Sequence, residues 1–179
     1  SFFVTYANID QWEPKMSDKF RPQHSLDQWI LSELHTLIDA TTKQMDLYNL
    51  MNATRPFLSF ADHLSNWYIR RSRRRFWKSE NDGDKDEAYQ TLYTVLVTLS
   101  KLLAPFMPFL ADEMYRNLVP GGKESVHLED WPQASRKYIK ALLNEEIHIV
   151  RQIVNLGHSV RAKSNMKVRQ PLAKLQVAL

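Results

Sequence analysis

The residues best equipped for chemistry lie in Ser65–Lys78, which reads Ser-Asn-Trp-Tyr-Ile-Arg-Arg-Ser-Arg-Arg-Arg-Phe-Trp-Lys. Six basic residues and no acid are interleaved here with Trp67, Tyr68, Phe76 and Trp77. Guanidinium and ammonium groups bind phosphate oxygens, and large rings stack on unpaired bases. At about 100° per residue, Phe57, Phe60, Leu64, Trp67 and Tyr68 share one face of a helix. The same face then meets Arg71, Arg74, Arg75 and Lys78. A charge is not buried without a partner. Such a helix either leaves the core and shows its cations to a polyanion, or inserts them into an acid network. Asp84, Asp86 and Glu87, across the following turn, and the first helix are the acids within reach for the second outcome.

Other chemistry is hard to assemble. His24, His35, His63, His127, His148 and His158 show no metal-ligand spacing. Asp112-Glu113 and Glu145-Glu146 are adjacent, so each pair points to different sides of a helix and makes a poor acid–base couple. Pro120-Gly121-Gly122-Lys123 lacks the spacing of a phosphate loop. Nothing resembles a nucleophile elbow or a dinucleotide fingerprint. On chemistry alone, the chain reads as a binding module.

The elements that must position the basic stretch are helical. Residues 1–24, broken by Pro14 and Pro22, read as an irregular lead-in. A first helix starts at Ser25, with Gln28 completing a capping box, and carries Leu26, Trp29, Ile30, Leu34, Leu37, Ile38 and Met45 at helical spacing. The second helix begins between Asp46 and Thr54 and runs to about Lys78. Asp84 with Glu87 caps a third, striped by Leu92, Val95, Leu96, Leu99, Leu102, Leu103 and Phe106. Pro105 and Pro108 break it, and a short helix follows to about Leu118. After the extended Ser125–Pro132, a fourth helix is expected from about Ser135 to Arg161, using Ile139, Leu142, Leu143, Val150, Ile153 and Val154. The final Leu175–Leu179 alternates like a strand. Four amphipathic helices with short connections predict an all-α antiparallel bundle.

At 179 residues the chain can bury one full core. It has no cysteine, which excludes disulfides within it and fits a reducing compartment. No apolar run approaches the roughly 18 residues of a membrane span. Net charge is only +4, but it is segregated. From Ile147 onward there is no acid against Arg151, Arg161, Lys163, Lys167, Arg169 and Lys174, whereas Ser79–Glu87 is strongly acidic. Segregated basic blocks are the electrostatic footprint of a nucleic-acid partner. The missing initiator Met and the lone strand-like end point to a piece of something larger.

Three segments carry a resemblance. Asn66–Trp77 resembles the second bundle helix of isoleucyl-tRNA synthetases. Leu103–Tyr115, Leu-Ala-Pro-Phe-Met-Pro-Phe-Leu-Ala-Asp-Glu-Met-Tyr, is similar to the third-helix signature of class Ia aminoacyl-tRNA synthetases generally. Lys167–Leu172, Lys-Val-Arg-Gln-Pro-Leu, is similar to the segment leaving the bundle in isoleucyl enzymes. Lys15-Met16-Ser17-Asp18-Lys19 resembles the ATP-steadying loop of class I synthetases but departs at its fourth and fifth positions, so it reads as a surface loop.

The resemblance implies a helical anticodon-binding domain over residues 25–163. Residues 1–24 would then arrive from an upstream catalytic region, and residues 164–179 would begin a C-terminal region. The implied partners are tRNA(Ile) and the enzyme's own catalytic and C-terminal domains, in the cytoplasm, with no membrane. The implied tRNA-binding residues are Arg71, Arg74, Arg75, Lys78, Arg161, Lys163, Lys167 and Arg169. The parent would use ATP and magnesium to charge tRNA. This piece lacks the family's nucleotide motifs, so it is expected to hold no cofactor and to activate no amino acid. The alternatives are the same domain of a valyl enzyme, and a helical scaffold whose basic face binds an acidic protein.

Overall fold

The computed structural model describes residues 2–15, 20–77 and 82–177. Among these the regular structure is entirely helical, and the chain divides into two compact units, Ser1–Ile139 and Lys140–Leu179. The all-α expectation holds.

In the first unit, α2 (Ser25–Asp46) turns back into a long continuous rod. The rod is α3 (Leu50–Asp62), a π-helical segment (His63–Ile69) and α4 (Arg70–Trp77). The chain reverses again into α5 (Gly83–Leu103) and once more into α6 (Pro108–Leu118). The proline-bearing break between α5 and α6 falls where the sequence puts it. α2 packs against the rod and α5, and the buried side chains are Trp29, Ile30, Leu34 and Ile38 of α2, Phe60, Leu64 and Tyr68 of the rod, and Leu92, Val95 and Leu102 of α5. Each such side chain contributes roughly 1.5–3 kcal/mol by leaving water. Leu99 and Leu103 are only half-buried, so the centre of the α5 stripe lies at Leu92 and Val95.

Several boundaries differ from expectation. The lead-in is not wholly irregular, because Phe2–Ile9 forms α1. A helix of this length is marginal by itself. Tertiary contact holds it, with Phe3 and Ala7 buried and Phe3 packed on Trp12, Tyr89 and Tyr93. The N-cap of α2 is His24, whose Nδ1 accepts from the Leu26 amide at 3.2 Å, while Gln28 donates back to the Pro22 and Gln23 carbonyls. The N-cap of α5 is Asp82, accepting from the Lys85 amide at 2.8 Å, in place of Asp84, whose carboxylate binds Arg75.

The segment before α7 is not helical as expected. His35 Nδ1 accepts from the Ser135 amide at 3.1 Å and stacks on the Tyr138 ring at 4.6 Å. Tyr138 also donates to the Phe20 carbonyl at 2.8 Å, so residues 133–139 are tied down as a strap. Neutral imidazole suits this packing, since burial lowers the His35 pKa.

The second unit holds α7 (Ala141–Lys163), none of whose residues is buried. Leu142 and Val150, expected in a core, are exposed. The tail through residue 177 forms no strand, because a strand needs a ladder and none is offered. Instead Arg161 donates to the Lys167 and Gln170 carbonyls at 3.0 and 2.8 Å, which curls the tail back on the helix end.

Candidate nucleic-acid interface

The π-helical segment decides which basic residues face out. A π turn closes i→i+5 and takes more residues per turn than an α turn. Phe60, Leu64, Tyr68, Ser72 and Phe76 recur every fourth residue and are all buried. On an unbroken α-helix that spacing would drift around the axis. The wide turn over His63–Ile69 takes up the drift and keeps these residues on the core side. Arg71 and Arg74, which an α wheel carries onto the core face, are exposed. Arg70 and Arg73, which the sequence reading passed over, are exposed beside them. Arg70, Arg74 and Trp77 follow at i, i+4 and i+7 and form one outward row.

Arg75 is the exception, and it is removed from the expected tRNA-binding set. Its guanidinium is nearly buried and engages both oxygens of Asp27, with Nη1 at 2.8 Å from Oδ1 and Nη2 at 2.6 Å from Oδ2. Nε donates to Asp84 Oδ1 at 2.7 Å and Nη2 to the Asp84 carbonyl at 3.1 Å. Tyr68 adds its hydroxyl to Asp27 Oδ1 at 2.6 Å. Every nitrogen of the group makes an inward bond, so the guanidinium faces the interior and not a phosphate. Burial works against its charge, but the hydrogen bonds it donates to Asp27 outweigh that and raise its pKa further. Burial and the Asp27 charge push the Tyr68 phenol well up.

Asp27 was the residue the sequence reading missed. The signal is an acid on one helix face with Ile30, Leu31, Leu34 and Ile38, which demands a buried cation elsewhere. Two further acids of the block after the rod have partners in the lead-in and at the start of α2. Asp86 accepts from Trp12 Nε1 at 2.8 Å and Lys15 Nζ at 2.6 Å. Glu87 accepts from the Gln23 and His24 amides, each at 2.8 Å. Among the described residues of the acidic block, Asp84, Asp86 and Glu87 thus hold partners that join α2, the lead-in and α5.

Lys78 lies outside the described residues, as do Met16–Lys19 of the loop-like match. In the second unit Lys163, Lys167 and Arg169 are exposed, and Arg161 holds the tail carbonyls. The adjacent carboxylates have structural partners. Asp112 accepts from Ser125 Oγ at 2.6 Å and from the Val126 amide at 3.0 Å, which depresses its pKa, and Glu113 bonds Asn117. Among the described residues no group of three His, Asp or Glu side chains is placed to hold a metal ion, and no helix is long and apolar enough to cross a membrane.

Fold and site together define an all-helical domain that turns a row of guanidinium groups outward from a salt-bridged core. The sequence matches, over residues 27–178, the family described as the anticodon-binding domain of tRNA ligase, and the chain belongs to that family. It is 54% identical to the isoleucine–tRNA ligase of Dehalococcoides mccartyi, over all of this chain and 18% of that protein. The isoleucine–tRNA ligases of Chlamydia pneumoniae and Clostridium novyi are 46% and 43% identical over 99% of this chain, and over 17% and 18% of their own lengths. The chain thus spans less than a fifth of the length of these curated relatives.

Proposed function

We propose that this chain binds the anticodon stem-loop of tRNA(Ile) and positions it for charging by the catalytic domain of an isoleucine–tRNA ligase in the cytoplasm. The observation that carries this reading is the set of outward arginines on α4, Arg70, Arg71, Arg73 and Arg74, beside the acids Asp84, Asp86 and Glu87, which hold other partners. Phosphate contacts by such a row supply affinity with little sequence preference. Lys78 and, separately in the second unit, Arg161, Lys163, Lys167 and Arg169 supply further phosphate contacts in this reading. The helical domain would run over residues 25–163, preceded by the link from the catalytic domain and followed from residue 164 by the start of a C-terminal domain. ATP and magnesium serve the parent's reaction, and no residue of this chain is assigned to them. Identities of 43–54% to isoleucine–tRNA ligases favour isoleucine over valine as the parent's amino acid.

Filter binding of the 179-residue chain to isoleucine, valine and unrelated tRNAs tests the proposal. Tightest retention of isoleucine tRNA, weakening as salt rises, is the expected result. Equal retention of all three removes the isoleucine assignment. Absence of any salt-dependent binding removes the RNA reading and leaves the scaffold for an acidic protein.

A further inference from the structure

Two indole–guanidinium pairs sit on the second half of the rod, and they face different ways. Arg71 lies over the Trp67 ring at 4.2 Å, but Trp67 is half-buried and its Nε1 is in the interior. That pair closes the edge of the core. Arg73 lies over the Trp77 ring at 5.0 Å, and Trp77 remains 51% exposed. The buried residues of α4 are Ser72, Arg75 and Phe76, so Trp77 stands with Arg70 and Arg74 on the opposite side. Its one aromatic neighbour among the described residues is Tyr6, with ring centroids 6.3 Å apart and planes inclined by 41°. Burial of a large ring ordinarily supports an aromatic at a helix end, and here half of it is left in water among cations.

We propose that the exposed surface of Trp77 is a stacking platform for one unpaired RNA base, with Arg73 beside the ring and Arg70 and Arg74 holding the adjoining phosphates. This rests on the RNA reading above and deepens it. Unpaired loop bases are recognised by stacking on aromatic and guanidinium planes, and stacking tolerates any base because each has a π face. Arginines alone would serve an acidic protein surface equally well. An exposed indole set within their row matches a ligand that alternates phosphates with flat apolar rings.

The test uses the 179-residue chain and a labelled RNA hairpin carrying the isoleucine anticodon stem and loop, with an abasic residue placed at each loop position in turn. In the unaltered protein, removing the base at one position should weaken binding roughly tenfold. The same removal should cost Trp77→Ala nothing, whereas Trp77→Tyr should keep most of the sensitivity. Stacking releases no counterions, so the salt slope of Trp77→Ala should equal that of the unaltered chain. The platform is overturned if Trp77→Ala binds like the unaltered chain, keeps its abasic sensitivity, or loses as much affinity for a fully paired RNA. It is also overturned if no loop position shows sensitivity. In those cases an Arg70→Ala/Arg74→Ala variant that still flattens the salt slope leaves the RNA reading standing. Failure of the unaltered chain to bind the hairpin overturns both. Should Trp77→Ala not fold by circular dichroism, Trp77→Leu replaces it as the ring-free variant.

Discussion

Arg75 Nη2 donates to Asp27 Oδ2 at 2.6 Å, joining residues 48 positions apart in a pair whose acid is fully buried. The pair fastens the end of the rod to the start of α2, and Asp84 fastens it to the start of α5. The arginines that face solvent are therefore carried on a helix end pinned from its inner side. The most cationic-looking position of the sequence is a structural joint, and its neighbours are the surface.

Breaking one side of this pair leaves an uncompensated buried charge. Arg75→Ala should cost about 3–5 kcal/mol in urea unfolding. Arg75→Lys should recover little, because an ammonium cannot reproduce the two-pronged contact with Asp27. A loss near zero for Arg75→Ala would show that the pair is not buried.

The outward arginines should behave in the opposite way. Arg70→Ala/Arg74→Ala should leave the melting temperature almost unchanged, since both side chains are exposed. If both meet phosphates, the plot of log affinity for tRNA against log salt should flatten by about 1–2 units. An unchanged slope would take them out of the interface and leave Lys163, Lys167 and Arg169 as the candidates.

Core truncations on α5 should grade with burial. Leu92→Ala should cost about 2–5 kcal/mol, because Leu92 is fully buried on α5, which packs against α2 and α4. Leu99→Ala, at a half-buried position, should cost less than Leu92→Ala under the same denaturant. Equal losses would contradict the packing described for this stripe.

Glu129 gives a pH-dependent prediction. It accepts from Lys101 Nζ and from the Tyr115 hydroxyl, each at 2.6 Å, and these bonds lower its pKa. A carboxyl lowered in the folded state adds stability that is complete above the ordinary glutamate range. That stability is lost as pH falls through the lowered value. Glu129→Gln should therefore reduce stability near neutrality and make the acid limb of the stability curve shallower. A curve merely displaced, with the same acid slope, would assign the loss to packing.

The sequence by itself determined the helical class, the break around Pro105 and Pro108, the basic character of the second helix end and the family resemblance. These follow from composition, spacing and proline geometry, which are local. It also named the two possible fates of the basic stretch without separating Arg75 from Arg74. A wheel with fixed angle per residue has no place for the π turn at His63–Ile69, and that turn reassigns the faces. Nor could spacing show that Asp27 on one apolar stripe meets Arg75 on another, since the pairing is fixed only when α2 and the rod pack. The same holds for α1 and for the strap at 133–139. Each is locally weak, and each is held by side chains far away in sequence, Tyr89 and Tyr93 for the first and His35 and Phe20 for the second. Local propensity set the elements, while burial and charge pairing between distant stripes chose which cations became the core and which the surface.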